Sequence, residues 1–174
     1  MRRSLRSLLP LIAATSWAGC SAPTSSTPEF DVAFTATPDP AVATPSSGVQ
    51  YRVTNADSTV SVYDYDNRVH FDVNIKDNAG LALDITSINL TVQQAAGGIV
   101  VTPSGGDQVY FKFSSSAATN HINASGAADV GFDVWYDLPN QGREALVTVG
   151  FTFEHEDDGN TYTYSDTAKV KVAP

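Results

Sequence analysis

Apolar and polar residues alternate with a period of two over most of the chain from Gly48 onward, and this feature constrains the fold most. The apolar members of the clearest stretches are Val69, Phe71, Val73 and Ile75; Val130, Phe132, Val134, Tyr136 and Leu138; and Ala145, Val147, Val149, Phe151 and Phe153. Successive side chains of a β-strand point to opposite faces, so this period predicts strands with one buried face. No stretch combines a helical apolar period with helix caps, and we therefore expect an all-β fold.

Turn-forming residues separate these stretches at intervals of roughly 8–12 residues, a spacing typical of sandwiches and barrels. Clusters of Asp, Asn, Gly and Pro lie at 77–80, 139–142 and 157–160. Strands with one solvated face usually pair antiparallel. The sequence therefore predicts an antiparallel two-sheet sandwich of about seven to nine strands.

The segment 129–172 has a strand that ends at Tyr136-Asp137-Leu138-Pro139, a turn at Gly142, a long strand from Ala145 and a hairpin into the last strand. This order resembles the last three strands of immunoglobulin-like and fibronectin-III-like domains. The Cys–Trp–Cys core of antibody domains is missing from the sequence. The resemblance implies a scaffold that binds or spaces rather than one that catalyses.

The first twenty residues have the layout of a bacterial export signal. Three arginines among the first six residues precede a short apolar run, and the run is followed by Trp17-Ala18-Gly19-Cys20. These four residues resemble a lipobox, the motif at which bacterial lipoproteins are acylated on cysteine and cleaved before it, although Trp17 stands where an aliphatic residue is usual. The resemblance implies a signal peptide at 1–19, lipidation of Cys20 and, with Ser21 next, attachment to the outer membrane. The alternative is an ordinary signal peptide with an incidental cysteine.

Residues 20–47 are rich in Pro, Ser and Thr, which predicts an extended tether between the lipidated cysteine and a domain at 48–174. Within the tether, Phe30, Val32 and Phe34 alternate with polar or small residues. Residues 30–36 are therefore either a first strand that docks onto the domain or an apolar patch within the linker.

The charge and cysteine content exclude some partners and sites. The chain has 10 basic and 19 acidic residues; without the three leader arginines, seven basic residues face nineteen acidic ones, a net charge of −12. Without a basic patch, nucleic-acid binding is not expected. A single cysteine cannot form an internal disulfide or a multi-cysteine metal site.

Clustered carboxylates at the predicted turns are candidate calcium ligands, because Ca²⁺ takes six to eight oxygen ligands. The candidate set is Asp157, Asp158 and Asn160, with Asp64 or Asp66 from another loop. Asp and Asn also favour turns for backbone reasons alone, and this is the commoner interpretation. Apart from this calcium hypothesis, no cofactor is expected.

Three aromatic residues, Trp135, Tyr110 and Tyr63, are the candidate partner-binding residues. Trp135 falls on the polar phase of its strand, which predicts exposure to solvent. Aromatic side chains on a strand face suit stacking on sugars or anchoring a protein partner. Cross-strand aromatic pairs that only stabilise the sheet are the commoner alternative.

These observations predict a non-catalytic protein of the bacterial cell envelope, anchored in the membrane through Cys20, that acts as an adhesion, spacer or accessory binding module. The alternative is a module that binds carbohydrate or a calcium-dependent partner. A third hypothesis is a small envelope hydrolase, but the sequence has no G-x-S-x-G or S-x-x-K motif. The expected partners are the membrane and a protein or polysaccharide.

Overall fold

In the part of the chain that the computed structural model describes, all regular secondary structure is β-strand, which confirms the all-β prediction. The structure describes residues 27–46, 50–54, 57–95, 100–101, 109–114, 120–138 and 142–174. The strands are β1 (Val32–Thr37), β2 (Ala41–Pro45), β3 (Gln50–Thr54), β4 (Val60–Asp64), β5 (Asn67–Asp77), β6 (Leu83–Gln94), β7 (Val100–Val101), β8 (Val109–Phe113), β9 (His121–Ile122), β10 (Ala127–Tyr136), β11 (Ala145–Asp157) and β12 (Asn160–Ala173). Within these ranges no helix has the length and apolar character needed to cross a membrane.

Ten of the strands belong to one mixed sheet, in the order β7-β6-β11-β12-β2-β5-β10-β8. β1 also pairs with β5, and β9 also pairs with β6. The pairings are antiparallel except that of β2 with β12, which is parallel. β3 and β4 form a separate two-stranded hairpin.

The sheet curls so that strands far apart in its order meet through their apolar side chains. Phe132 of β10 and Phe151 of β11 have ring centroids 6.4 Å apart, although neither strand pairs with the other. Phe34 of β1 stacks on Phe151 at 5.4 Å. The side chains that alternate along β5, β10, β11 and β12 therefore enclose one core. Its largest fully buried members are Tyr136, Phe71, Phe132, Phe151, Phe153, Ile75, Leu83, Leu90 and Ile122.

The sheet begins at Val32, inside the segment expected to be tether. β1 pairs with the half of β5 that runs from Asp72 to Asp77. β2 pairs with the other half of β5 and, through Ala41 and Val42, with the end of β12. Residues 32–37 and 41–45, which lie within the segment predicted as tether, thus form strands that join the sheet.

Asp77 is a buried carboxylate that connects two turns at one end of the sheet. Its side chain is buried and accepts hydrogen bonds from the backbone N–H groups of Ala79 (3.0 Å), Leu81 (2.8 Å) and Ser125 (2.8 Å). The next residue, Asn78, donates its backbone N–H to the carbonyl of Asp31 at 2.8 Å, just before β1. Asp77 thus provides a common acceptor for three backbone donors of these turns, and its own buried oxygens are satisfied by them.

Candidate functional site

The outer face of β10 carries Trp135, and the expectation that this residue is exposed is wrong. Only 4% of Trp135 is exposed. The Arg68 guanidinium carbon and Lys112 Nζ each lie 5.2 Å from its ring centroid, and Tyr110 is tilted against it at 5.6 Å. Long cationic side chains cover an aromatic face well because their aliphatic stems are apolar and their charge is attracted to the ring. The side chain of Tyr63 lies outside the described residues.

The buried carboxylate of Asp133 lies on the same face of β10 as Trp135 and holds the side chain that covers it. Asp133 is 6% exposed, and its Oδ1 accepts a hydrogen bond from Arg68 Nη2 at 2.8 Å and lies 3.3 Å from His70 Nδ1. Burial by itself raises the pKa of Asp133, but the hydrogen bond and charge of Arg68, with a smaller contribution from His70, hold the pKa below its ordinary value. Arg68 therefore serves both Asp133 and Trp135, and this part of the predicted aromatic surface is packed into the sheet.

The proposed calcium ligands do not converge. Asp157 and Asn160 pair across the turn between β11 and β12, whereas the other end of β12 pairs with β2, which in turn pairs with the start of β5. Asp64 and Asp66 precede β5, so roughly 40 Å of strand separates them from the turn. The prediction of one joint site is therefore wrong. Among the described residues, no three His, Cys, Asp or Glu side chains form a group that could hold a metal ion.

Backbone geometry explains why Asp158 stands at the β11–β12 turn. Asp158 has φ of 48° and Gly159 has φ of 78°. Two consecutive residues with positive φ are typical of the type I′ turn, whose twist matches that of a two-stranded hairpin, and Asp-Gly is a preferred pair there. The local sequence at this turn is therefore accounted for by hairpin formation.

Asp64, Asp66 and Asp137 form an acidic cluster at the other end of the sheet. Asp137 accepts a hydrogen bond from the backbone N–H of Asp66 at 2.6 Å. Burial raises the pKa of Asp137 above its ordinary value, the hydrogen bond from Asp66 lowers it, and the negative charges of Asp66 and Asp64 raise it further. At neutral pH the ionised Asp137 therefore opposes folding.

We expect Asp137→Asn to stabilise the protein at pH 7 by on the order of 0.5 kcal/mol, the size of a partly screened charge interaction. Asparagine keeps an oxygen for the Asp66 N–H but removes the repelling charge. Because the folded-state pKa of Asp137 is raised, its protonated form stabilises the fold at low pH, and this contribution is lost as the pH rises through that pKa. Urea unfolding at pH 7 and pH 3 should show the gain at pH 7 only. An equal gain at both values would contradict the electrostatic cause.

The exposed apolar residues mark two other surfaces. Val60 and Val62 of β4 are 54% and 47% exposed, and the base of their hairpin is tied to the sheet by the hydrogen bond from Ser46 N–H to the Asp66 carbonyl at 3.0 Å. Phe113 of β8 is 48% exposed and borders a groove of about 430 Å³. The groove is also lined by Ile85, Ile88, Phe111 and Val130. The alternating sequence predicted apolar faces here, but it could not tell that these faces stay uncovered.

The chain enters the domain at the end that carries the β11–β12 turn. Phe30, just before β1, stacks on Tyr164 with ring centroids 5.0 Å apart and an interplanar angle of 4°. It also meets His155 edge-on at 6.4 Å. The β3–β4 hairpin joins the sheet near Asp66, at the opposite end. Cys20, the predicted lipidation site, lies outside the described residues.

Comparison with known proteins gives little further information. No family model matches the chain. No curated protein matches it either. Among solved structures, it is similar to the crystal structure of AggA, the major subunit of aggregative adherence fimbriae type I from Escherichia coli, with 11% identity and a TM-score of 0.35. The match covers 82% of this chain and 95% of that chain.

Proposed function

We propose that the chain is a non-catalytic, lipid-anchored protein of the bacterial cell envelope that acts as an adhesion, spacer or accessory binding module. Lipid chains on Cys20 anchor the protein in the outer membrane, and its partner is a protein or a polysaccharide. The proposal combines the export leader and lipobox-like ending of the sequence with a domain whose two ends differ in character.

The strand order supports an immunoglobulin-like two-layer arrangement as part of this proposal. In the constant-type immunoglobulin domain, one sheet has the order A-B-E-D and the other C-F-G. If β1, β5, β6, β8, β10, β11 and β12 are lettered A to G in chain order, the pairings β1-β5-β10-β8 and β6-β11-β12 correspond to A-B-E-D and C-F-G. In this comparison β2 corresponds to the second half of the first immunoglobulin strand, the half that crosses to the other sheet. It connects β5 with β12, and the β3–β4 hairpin is an insertion.

One observation carries the adhesive role: the exposed valines of the β3–β4 hairpin lie toward the end of the domain opposite to the tether. About eleven residues, 21–31, separate Cys20 from β1. As an extended proline-rich spacer they would reach roughly 35 Å. An anchor at Cys20 would therefore hold the end near Phe30 toward the membrane and direct the base of the hairpin away from it. Exposed apolar side chains in that position are available to a partner.

The anchor is tested by growing cells that produce the full chain with an alkyne-labelled fatty acid. We expect labelling of the wild-type protein and of Ser21→Ala, which keeps the cysteine, and none of Cys20→Ala. An unlabelled wild-type protein would remove the lipid anchor from the proposal.

The binding role is tested by the adherence of such cells to surfaces coated with proteins or polysaccharides of the host or of neighbouring cells. We expect Val60→Asp/Val62→Asp to reduce adherence at least fivefold at an unchanged amount of protein. Val42→Asp is the matched control, since Val42 is an equally exposed valine, 58% exposed, in β2. Equal adherence of wild-type protein and the double variant would overturn the role of the hairpin.

A further inference from the structure

The solvent-facing side of β6, β11 and β12 is a regular polar surface, here called the three-strand face. Cross-strand pairing arranges its residues in rows that run across the strands. The rows are Gln93, Leu146 and Lys171; Thr91, Thr148 and Lys169; Asn89, Gly150 and Thr167; Ser87, Thr152 and Ser165; and Asp84, Glu154 and Thr163. The β12 members are all exposed. This face is separate from the β3–β4 hairpin.

The charges of the three-strand face are segregated by sign. Lys169 and Lys171 lie at one end, and Asp84 and Glu154 lie at the other; the three central residues of each strand carry no charge apart from Lys169. Beyond the lysine end, Arg143 and Glu144 offset one another. At the acidic end, Asp84 Oδ1 lies 2.8 Å from His121 Nδ1, and Glu156 adds a further carboxylate. Apart from Leu146 and Gly150, the face is thus polar, with basic residues at one end and acidic residues at the other.

The middle row of the face contains its smallest residue, Gly150. Gly150 has no side chain, and a Cβ built there would lie 2.5 Å from Oδ1 of Asn89, so the Asn89 side chain lies across the glycine. Small and uncharged residues occupy the neighbouring rows. The Asn89 amide therefore fills the space above Gly150, and the centre of the face is uncharged.

We propose that a second copy of this chain packs on the three-strand face, related by a two-fold axis that crosses the strands at the Gly150 row. Such an axis reverses the strand direction and keeps each strand opposite its own copy, so the row of Lys171 in one copy faces the row of Glu154 in the other. Lys171 lies opposite Thr163, with Glu154 of the second copy one strand away, and the converse contact is identical. This self-complementarity is what a closed two-fold interface requires. The Thr167 residues of the two copies face each other at the axis, about 10 Å apart for packed sheets.

The contact is weak in solution and favoured where copies are concentrated. Three strands about 4.8 Å apart and eight residues of strand length give a flat footprint of roughly 400 Å² per copy. That is below the usual size of a stable interface. The net acidic charge also opposes association at long range, although at physiological ionic strength charges are screened beyond about 8 Å. Confinement of the full chain to a membrane would raise its effective concentration.

The interface is tested by crosslinking in cells that produce the full chain, with Thr167→Cys and a short bismaleimide. We expect a crosslinked dimer at least fivefold above that of the wild-type chain, which controls for any reaction of Cys20. Lys76→Cys, on an exposed position of β5, is the control for random collision and should give no excess.

Charge reversal decides whether the two ends of the face meet. In the Thr167→Cys chain, Lys171→Glu and Glu154→Lys should each reduce the dimer at least fivefold, because two pairs of like charges then lie on neighbouring strands of the facing rows. Combining the two reversals in one chain should restore it to within twofold, which also shows that both variants fold. Lys76→Glu and Asp129→Lys make the same charge changes elsewhere and should have no effect. A dimer absent from Thr167→Cys, or unchanged by either reversal, would overturn the proposal.

Discussion

Asp77→Ala is expected to destabilise the protein by roughly 3–4 kcal/mol, since hydrogen bonds to a charged acceptor contribute about 1.5–3 kcal/mol each and are not fully additive. The substitution removes the shared acceptor of the backbone N–H groups of Ala79, Leu81 and Ser125, next to the buried position of Asp77. The turn before β6 and the turn before β10 would then lose their common support. Urea unfolding at pH 7 measures the effect.

Asp77→Asn tests the contribution of the hydrogen bonds alone, because asparagine fills nearly the same space as aspartate. Asparagine keeps one acceptor oxygen, but its amide nitrogen cannot accept the two hydrogen bonds that Oδ2 accepts from Leu81 and Ser125. We expect a loss of about 2–3 kcal/mol. Asp129→Ala is the control: Asp129 is exposed, and it loses only a hydrogen bond from Asn74. If all three variants unfold at the same urea concentration, Asp77 does not support the turns.

Phe132→Ala is expected to cost about 3–5 kcal/mol, the usual range for removal of a buried phenylalanine. Phe132 is fully buried, and its ring lies 5.4 Å from that of Phe71 and 6.4 Å from that of Phe151. It therefore contacts both its neighbouring strand and the strand set across the core. A cavity at this position cannot be filled from solvent without burying water in an apolar site.

Phe113→Ala is the matched control for Phe132→Ala. The Phe113 ring lies 5.7 Å from Phe132 but is half exposed, so we expect a loss of about 1 kcal/mol. A double-mutant cycle between Phe132 and Phe151 then tests the contact across the core. A coupling energy of about 0.5–1.5 kcal/mol is expected for such an aromatic pair. Strict additivity of the two losses would argue against the contact.

The strands were predictable from sequence wherever one face is buried and the other solvated. The apolar residues of β5 and β11 alternate in the sequence and are buried in the structure, and the turn at Asp158 and Gly159 follows from local backbone preference. These features depend on neighbours within a few residues. A sequence carries such information directly.

Features that depend on pairing between distant strands could not be predicted in the same way. Trp135 occupies a polar phase of β10 and is buried because Arg68 and Lys112, on the two flanking strands, lie over it. Asp77 looked like an ordinary turn residue, yet one of its donors comes from Ser125, 48 residues away in the chain. The separation of Asp157 from Asp64 likewise follows from strand order. Composition gives no information on that order.

The position of β2 has a consequence for how the protein acquires its structure. β2 begins at Ala41, yet its parallel partners are Val172 and Ala173, and 131 positions separate Ala41 from Val172 in the sequence. β2 is therefore synthesised long before β12, and this connection cannot form until β12 is available. Contacts of such large sequence separation slow folding. During synthesis, β2 consequently remains without this partner until the chain has been extended as far as Ala173.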